Sequence, residues 1–154
     1  MNRQEHIARL RRFPTELEAL VTNLSQADLH TPYMAQEWTV AQNVHHLADS
    51  HMMAFGRTKL MLTSDAALLV GYAPDAWSAQ ADEIGQAIES SLAILRGLHQ
   101  RWADLFESLS DADFARTGQH TERGTISVED ILHSYSAHCD AHIEQIQRTL
   151  AAKA

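Results

Sequence analysis

Four stretches of the chain repeat apolar residues at the spacing of one helix face, and connectors containing turn residues separate them. In the first, about 2–24, Ile7, Leu10, Phe13, Leu17, Leu20, Val21 and Leu24 fall on one side at roughly 100° per residue. Pro14 lies inside that stripe, yet the stripe keeps its phase across it, which predicts one kinked helix rather than two. The second, about 39–63, opens on Thr39-Val40-Ala41-Gln42, whose hydroxyl and amide can satisfy free backbone donors reciprocally. Val40, Val44, Leu47, Ala54, Phe55 and Leu62 share its apolar face. The third, about 83–108, carries Ile88, Leu92, Leu95, Trp102 and Phe106. The fourth, about 128–151, follows Ser127 as N-cap and has Glu129 and Asp130 at the positive end of the helix dipole. No period-two alternation is long enough to predict a sheet. The pattern predicts an all-α protein, an up-down four-helix bundle in one domain spanning 1–154.

The connectors add detail. Residues 25–38 hold Pro32 and Tyr33 and predict a short helical turn at 25–29. Residues 64–82 are long for a compact bundle and contain Gly71, Tyr72, Pro74 and Trp77, as a lid or binding loop would. Residues 111–126 are polar, and a further short turn is expected at 111–115.

Composition narrows the function classes. The chain has 154 residues, enough for a sizeable core. Twenty acidic against twelve basic residues give a net charge of −8, with no Lys/Arg run, which argues against binding a nucleic-acid backbone. The longest apolar stretch, 66–70, is too short to cross a bilayer. The first six residues are polar, unlike an export signal, and the single cysteine, Cys139, leaves no intrachain disulfide framework. A cytoplasmic protein is expected. Ten histidines stand against three tyrosines and three tryptophans, so their positions matter.

On the fourth helix Val128, Leu132, Tyr135, Cys139, Ile143 and Ile146 define an apolar face, and His138 and His142 lie on it one turn apart. Side chains at i and i+4 can converge on one point, a spacing that presents two imidazoles to a metal. A buried, hydrogen-bonded imidazole is the ordinary alternative for either ring alone. On the second helix, His45, His46 and His51 are available for a third ligand. Periodicity places His51 at the centre of the apolar stripe and His46 well off it, yet a bundle helix has two neighbours, so the pattern leaves that choice open. Cys139 reads as inert packing. Paired Glu-x-x-His motifs for a di-iron bundle and a His-Glu-x-x-His motif are both absent.

The string from Trp38 to Met52, Trp-Thr-Val-Ala-Gln-Asn-Val-His-His-Leu-Ala-Asp-Ser-His-Met, resembles the DinB superfamily and, within it, the YfiT-like branch. The family pattern is a Trp-Ser/Thr start with a histidine eight positions after the tryptophan, which is His46, followed by Leu-Ala-Asp. Its second motif, His-x-x-x-His on the last helix, matches His138 and His142. Thr31-Pro32-Tyr33, the Arg57-x-Lys59-Leu60 run, Trp77 and Arg101-Trp102 extend the likeness along nearly the whole chain.

The resemblance implies a four-helix bundle, commonly a homodimer, with a divalent ion such as zinc or nickel held by His46, His138 and His142. Three neutral protein ligands leave a position open, as in catalytic rather than structural sites. That position can take water or a thiol and favour its deprotonated form. Relatives of this type use low-molecular-weight thiols such as bacillithiol, and the branch also carries the description of metal-dependent hydrolases. The expected function is therefore a thiol S-transferase acting on a small electrophile. The alternatives are a hydrolase on the same site, or a non-catalytic metal-binding bundle associated with stress, which a fourth ligand such as His51 or Cys139 would favour. Arg57, Lys59 and Arg101 are candidates for binding substrate carboxylates, and Asp49 for orienting a ligand imidazole.

Overall fold

In a computed structural model describing residues 1–153, the four long helices are α1 (Arg3–Val21), α3 (Val40–Thr63), α5 (Glu89–Glu107) and α7 (Val128–Ala151). The short helices α2 (Gln26–His30), α4 (Pro74–Ser78) and α6 (Asp111–Phe114) lie in the connectors, the first and last where short turns are expected. Capping boxes close the starts of three long helices: Asn2 with Glu5, Thr39 with Gln42, and Ser127 with Asp130. Pro14 does not divide α1, which stays one helix through it.

Two features depart from the sequence pattern. The third long helix begins at Glu89 rather than near 83, because Gly85 takes a left-handed φ of 68° and the chain before Ile88 runs in turns. A small sheet also exists: β1 (Ala67–Leu69) pairs in parallel with β2 (Thr117–His120), which pairs antiparallel with β3 (Gly124–Ser127). Its inward positions include Gly118, His120 and Ile126, of which only one is an ordinary apolar residue, so alternation gives little warning. A Cβ on Gly118 would stand 2.8 Å from the Leu69 side chain, so glycine lets the strand lie close to β1.

The bundle is present, but its neighbours do not follow sequence order. Both α1 and α3 pack against α5 and α7, leaving α1 diagonal to α3 and α5 diagonal to α7. A simple up-down arrangement would put α1 beside α3. The connector 22–39, with α2 in it, spans the diagonal instead. The core between the helices is built from Leu10, Phe13 and Leu17 of α1, Val44 and Leu47 of α3, Leu95, Trp102 and Phe106 of α5, and Leu132 and Ile146 of α7, all buried. Arg9, itself buried, ties α1 to α7 through Asp140. No helix among the described residues is long and apolar enough to cross a membrane.

Candidate metal centre

Residues 46 on α3 and 138 and 142 on α7 face one another where the two helices pack. The Nε2 atoms of His46 and His138 are 3.3 Å apart, and those of His138 and His142 are 3.0 Å apart. For comparison, two nitrogens bound to one tetrahedral zinc ion lie about 3.3 Å apart. Among the described residues no fourth His, Cys, Asp or Glu joins the cluster. The i, i+4 step on α7 brings two rings together, as its spacing predicts, and His46 completes the triangle from the facing helix.

His51, the residue at the centre of the apolar stripe, is indeed fully buried. It lies five residues after His46, about 140° further around the helix, and so points between α7 and α5, with His99 of α5 on its other side. Its Nε2 contacts His138 Nδ1 at 3.0 Å, placing it behind a converging ring rather than at the convergence point. Cys139 is fully buried, and burial pushes its thiol well above the usual range, as expected of inert packing.

The donor set suits a divalent ion. Burial, with His142 nearby, lowers the pKa of His46 to about 4; burial with both neighbours lowers His138 to about 3; burial lowers His142 to about 4. All three rings are therefore neutral at pH 7 and can offer lone pairs. The His142 ring is oriented by Asn43, whose Oδ1 lies 2.7 Å from Nδ1. The Asn43 amide in turn donates to the Thr39 carbonyl at 3.0 Å, which fixes its oxygen toward the ring. His142 thus carries its proton on Nδ1 and leaves the Nε2 lone pair aimed at its partners. Trp38 covers the site, its ring 4.5 Å from that of His46.

The three rings line a cavity of about 430 Å³. Its other walls come from connectors and the small sheet: Tyr72 and Pro74 from the 64–82 connector, and His120, Glu122 and Arg123 from β2 and the turn after it. The long connector thus forms part of the cavity wall beside the three rings. His120, Glu122 and Arg123 are not singled out by the hydrophobic pattern, because the residues that bring them to the cavity are sheet contacts.

The remaining candidates separate cleanly. Arg57 lines the cavity and is only 8% exposed, yet no carboxylate among the described residues pairs with it. Its Nη2 donates to the Val70 carbonyl, while its buried Nε has no partner among the described residues. Lys59 and Arg101 are exposed and both lie over the Phe55 ring, away from the cavity. Asp49 makes no hydrogen bond to the three histidines. It sits with Glu83, Asp82 and Trp77 around a separate cavity, so orientation of the rings falls to Asn43 and His51.

The sequence model of the DinB superfamily matches residues 9–146. The chain belongs to the DinB superfamily. It is 38% identical over 145 residues to YfiT of Bacillus subtilis, covering 92% of this chain and 82% of that protein. A Geobacillus kaustophilus relative is 48% identical over 114 residues, 74% of this chain and 64% of the relative, so the chain spans under two thirds of that protein. Both names propose a metal-dependent hydrolase. The solved structure of Bacillus subtilis YfiT superposes with a TM-score of 0.91 at 36% identity, covering 96% of this chain and 85% of that one. Its description proposes a metal-dependent hydrolase and notes an unusual four-helix bundle topology.

Proposed function

We propose that this chain is a metal-dependent enzyme in which His46, His138 and His142 hold a divalent ion, zinc or nickel, and a low-molecular-weight thiol of the bacillithiol type attacks a small electrophile. The observation that carries this reading is the convergence of three neutral imidazoles on a cavity, with no fourth protein ligand to close the site among the described residues. A bound ion would supply Lewis acidity to water or a thiol entering that open position.

The chain's own residues supply binding and orientation. Asn43 and His51 hold two of the rings. A buried guanidinium that forms no ion pair is costly unless something anionic arrives. Arg57 is such a group on the cavity wall, and it suits a carboxylate of the thiol. It follows His46 by eleven positions, three turns along the same helix face, and both residues line the same cavity. In the transfer a sulfur–carbon bond forms, the bond to the leaving group breaks, and that group departs with the electron pair while the thiol proton passes to solvent.

A second reading rests on Glu122, a carboxylate lining the same cavity. In a hydrolase it would take a proton from water. Thiol dependence separates the two. Metal-loaded protein is assayed with monochlorobimane and bacillithiol, and separately with p-nitrophenyl esters alone. Conjugation that needs both metal and thiol, with Arg57→Met raising KM for the thiol about tenfold or more, supports transfer. Ester turnover without thiol supports hydrolysis, and neither activity with any metal tested sinks the enzyme reading.

A further inference from the structure

Pro14 lies inside α1 and has no N–H, so the Leu10 carbonyl four residues earlier lacks its helical donor. That carbonyl is instead 2.7 Å from Nδ1 of the fully buried His99 on α5. The consequence is directional, because a carbonyl can only accept. His99 must carry its proton on Nδ1, and a neutral ring then offers a lone pair at Nε2. His51 Nδ1 lies 2.7 Å from that lone pair and must be the N–H. His51 Nε2 is thereby left as an acceptor, and the N–H reaching it is Nδ1 of His138 at 3.0 Å. The Nε2 of His138 ends unprotonated, facing His46 and His142.

Phe13 packs against both intermediate rings, with centroids 5.7 Å from His51 and 5.2 Å from His99, and Trp102 meets each edge-on. The rings are held by packing, and among the described residues no other group competes for the nitrogens of His99 or His51.

We propose that Leu10, His99 and His51 form a tautomer lock: a carbonyl freed by Pro14 sets one proton's position, and two buried rings pass that choice to His138, pre-aiming its lone pair at the metal centre. His51 and His99 are thus positioning residues, acting through His138 rather than touching substrate. This inference rests on His46, His138 and His142 being metal ligands. It goes beyond that assignment, since it ties the centre to a proline on a helix that contributes no ligand. It also explains why a bundle core spends two fully buried histidines where leucine would pack.

Two measurements test it, one without metal. In metal-free wild type at pH 7.5, long-range proton–nitrogen correlation spectra of ring-labelled histidine should show His51, His99 and His138 as Nδ1–H tautomers, against the Nε2–H form that free imidazole side chains prefer. An Nε2–H form at His138 overturns the lock. In the second, zinc affinity is measured by chelator competition. His99→Leu, which removes the acceptor for His51, should weaken zinc about 10–100-fold, the usual cost of losing a group that orients a ligand. His99→Gln keeps an acceptor for His51 and a donor for Leu10 and should recover most of that loss. Unchanged affinity in folded His99→Leu refutes the lock, as does an equal loss in both variants. Wild type that shows Nδ1–H tautomers but binds no zinc or nickel would refute the ligand assignment and the lock's purpose, while Nε2–H at His138 with tight zinc binding refutes the lock alone.

Discussion

Five histidines of this bundle, His46, His51, His99, His138 and His142, form one contiguous cluster of rings, and that cluster should make the metal-free protein acid-labile. Burial is the first cause of the lowered pKa in each: about 4 for His46, His99 and His142, about 3 for His138, and well below 6.5 for His51. Unfolding releases these rings to an ordinary pKa near 6.5, so between the two values the unfolded chain binds more protons and stability falls as the pH is lowered. Their contribution is complete above pH 6.5 and is lost as the pH drops toward 4. At pH 5 each released ring takes up about 0.9 proton. Glu83 works in the opposite sense, since its native pKa is raised to about 8 and it gives up part of a proton on unfolding. The balance is an uptake of roughly three protons or more, or about 4 kcal/mol of stability lost per pH unit near pH 5. A domain of ordinary stability, roughly 5–15 kcal/mol, should then unfold between about pH 5.5 and 4. The assay is urea unfolding followed by tryptophan fluorescence in the presence of a chelator, at half-unit steps from pH 7.5 to 4.5. The slope of unfolding free energy against pH gives the proton uptake directly. An uptake below about two protons at pH 5 would refute the view that these rings are neutral in the folded protein.

Other consequences are more local. Burial and the neighbouring Asp49 carboxylate raise Glu83 to about 8, so keeping it protonated costs nothing at low pH, and ionising it penalises the fold as pH rises from 4.5 toward 8. Glu83→Gln should therefore stabilise the protein by roughly 1–3 kcal/mol at pH 8 and little at pH 4.5, measured as a pH-dependent gain in Tm; equal gains at both would exclude ionisation as the cause. Ser127 caps α7, with Oγ 3.0 Å from the Asp130 amide nitrogen. Ser127→Ala should cost about 1 kcal/mol by urea unfolding. It should leave zinc affinity unchanged, since His138 lies three turns further on; a loss of affinity would mean that the helix start, and not the local rings, sets the site.

The four helices were legible in the chain because their cores follow a helical period and their starts carry side-chain caps that act locally. Thr39 with Gln42 and Ser127 with Asp130 need no tertiary partner to be read. The pair His138 and His142 was equally local, one turn apart on a single helix. The assignment of His46 was different in kind. Periodicity favours His51, and only likeness to a family points to His46, because a helix wheel has no knowledge of which neighbour each flank meets. Both residues are buried, one against α7 at the convergence point and one behind it, and helix packing alone decides which is which.

What tertiary structure decided are the properties that join distant segments. The order of helices around the bundle depends on where a connector crosses, which no local pattern records. The small sheet escaped notice because Gly118 and His120 fill inward positions that alternation expects to be apolar. Arg57 could not be told from Lys59 or Arg101 by residue type, and burial beside the cavity separates it from the two that lie over Phe55 in solvent. Pro14 shows both sides of the division. Its loss of a backbone donor is fixed by the amino acid itself. That the freed Leu10 carbonyl meets His99 depends on α1 and α5 packing side by side, since hydrogen bonds act over about 3 Å and their partners here lie far apart in the chain.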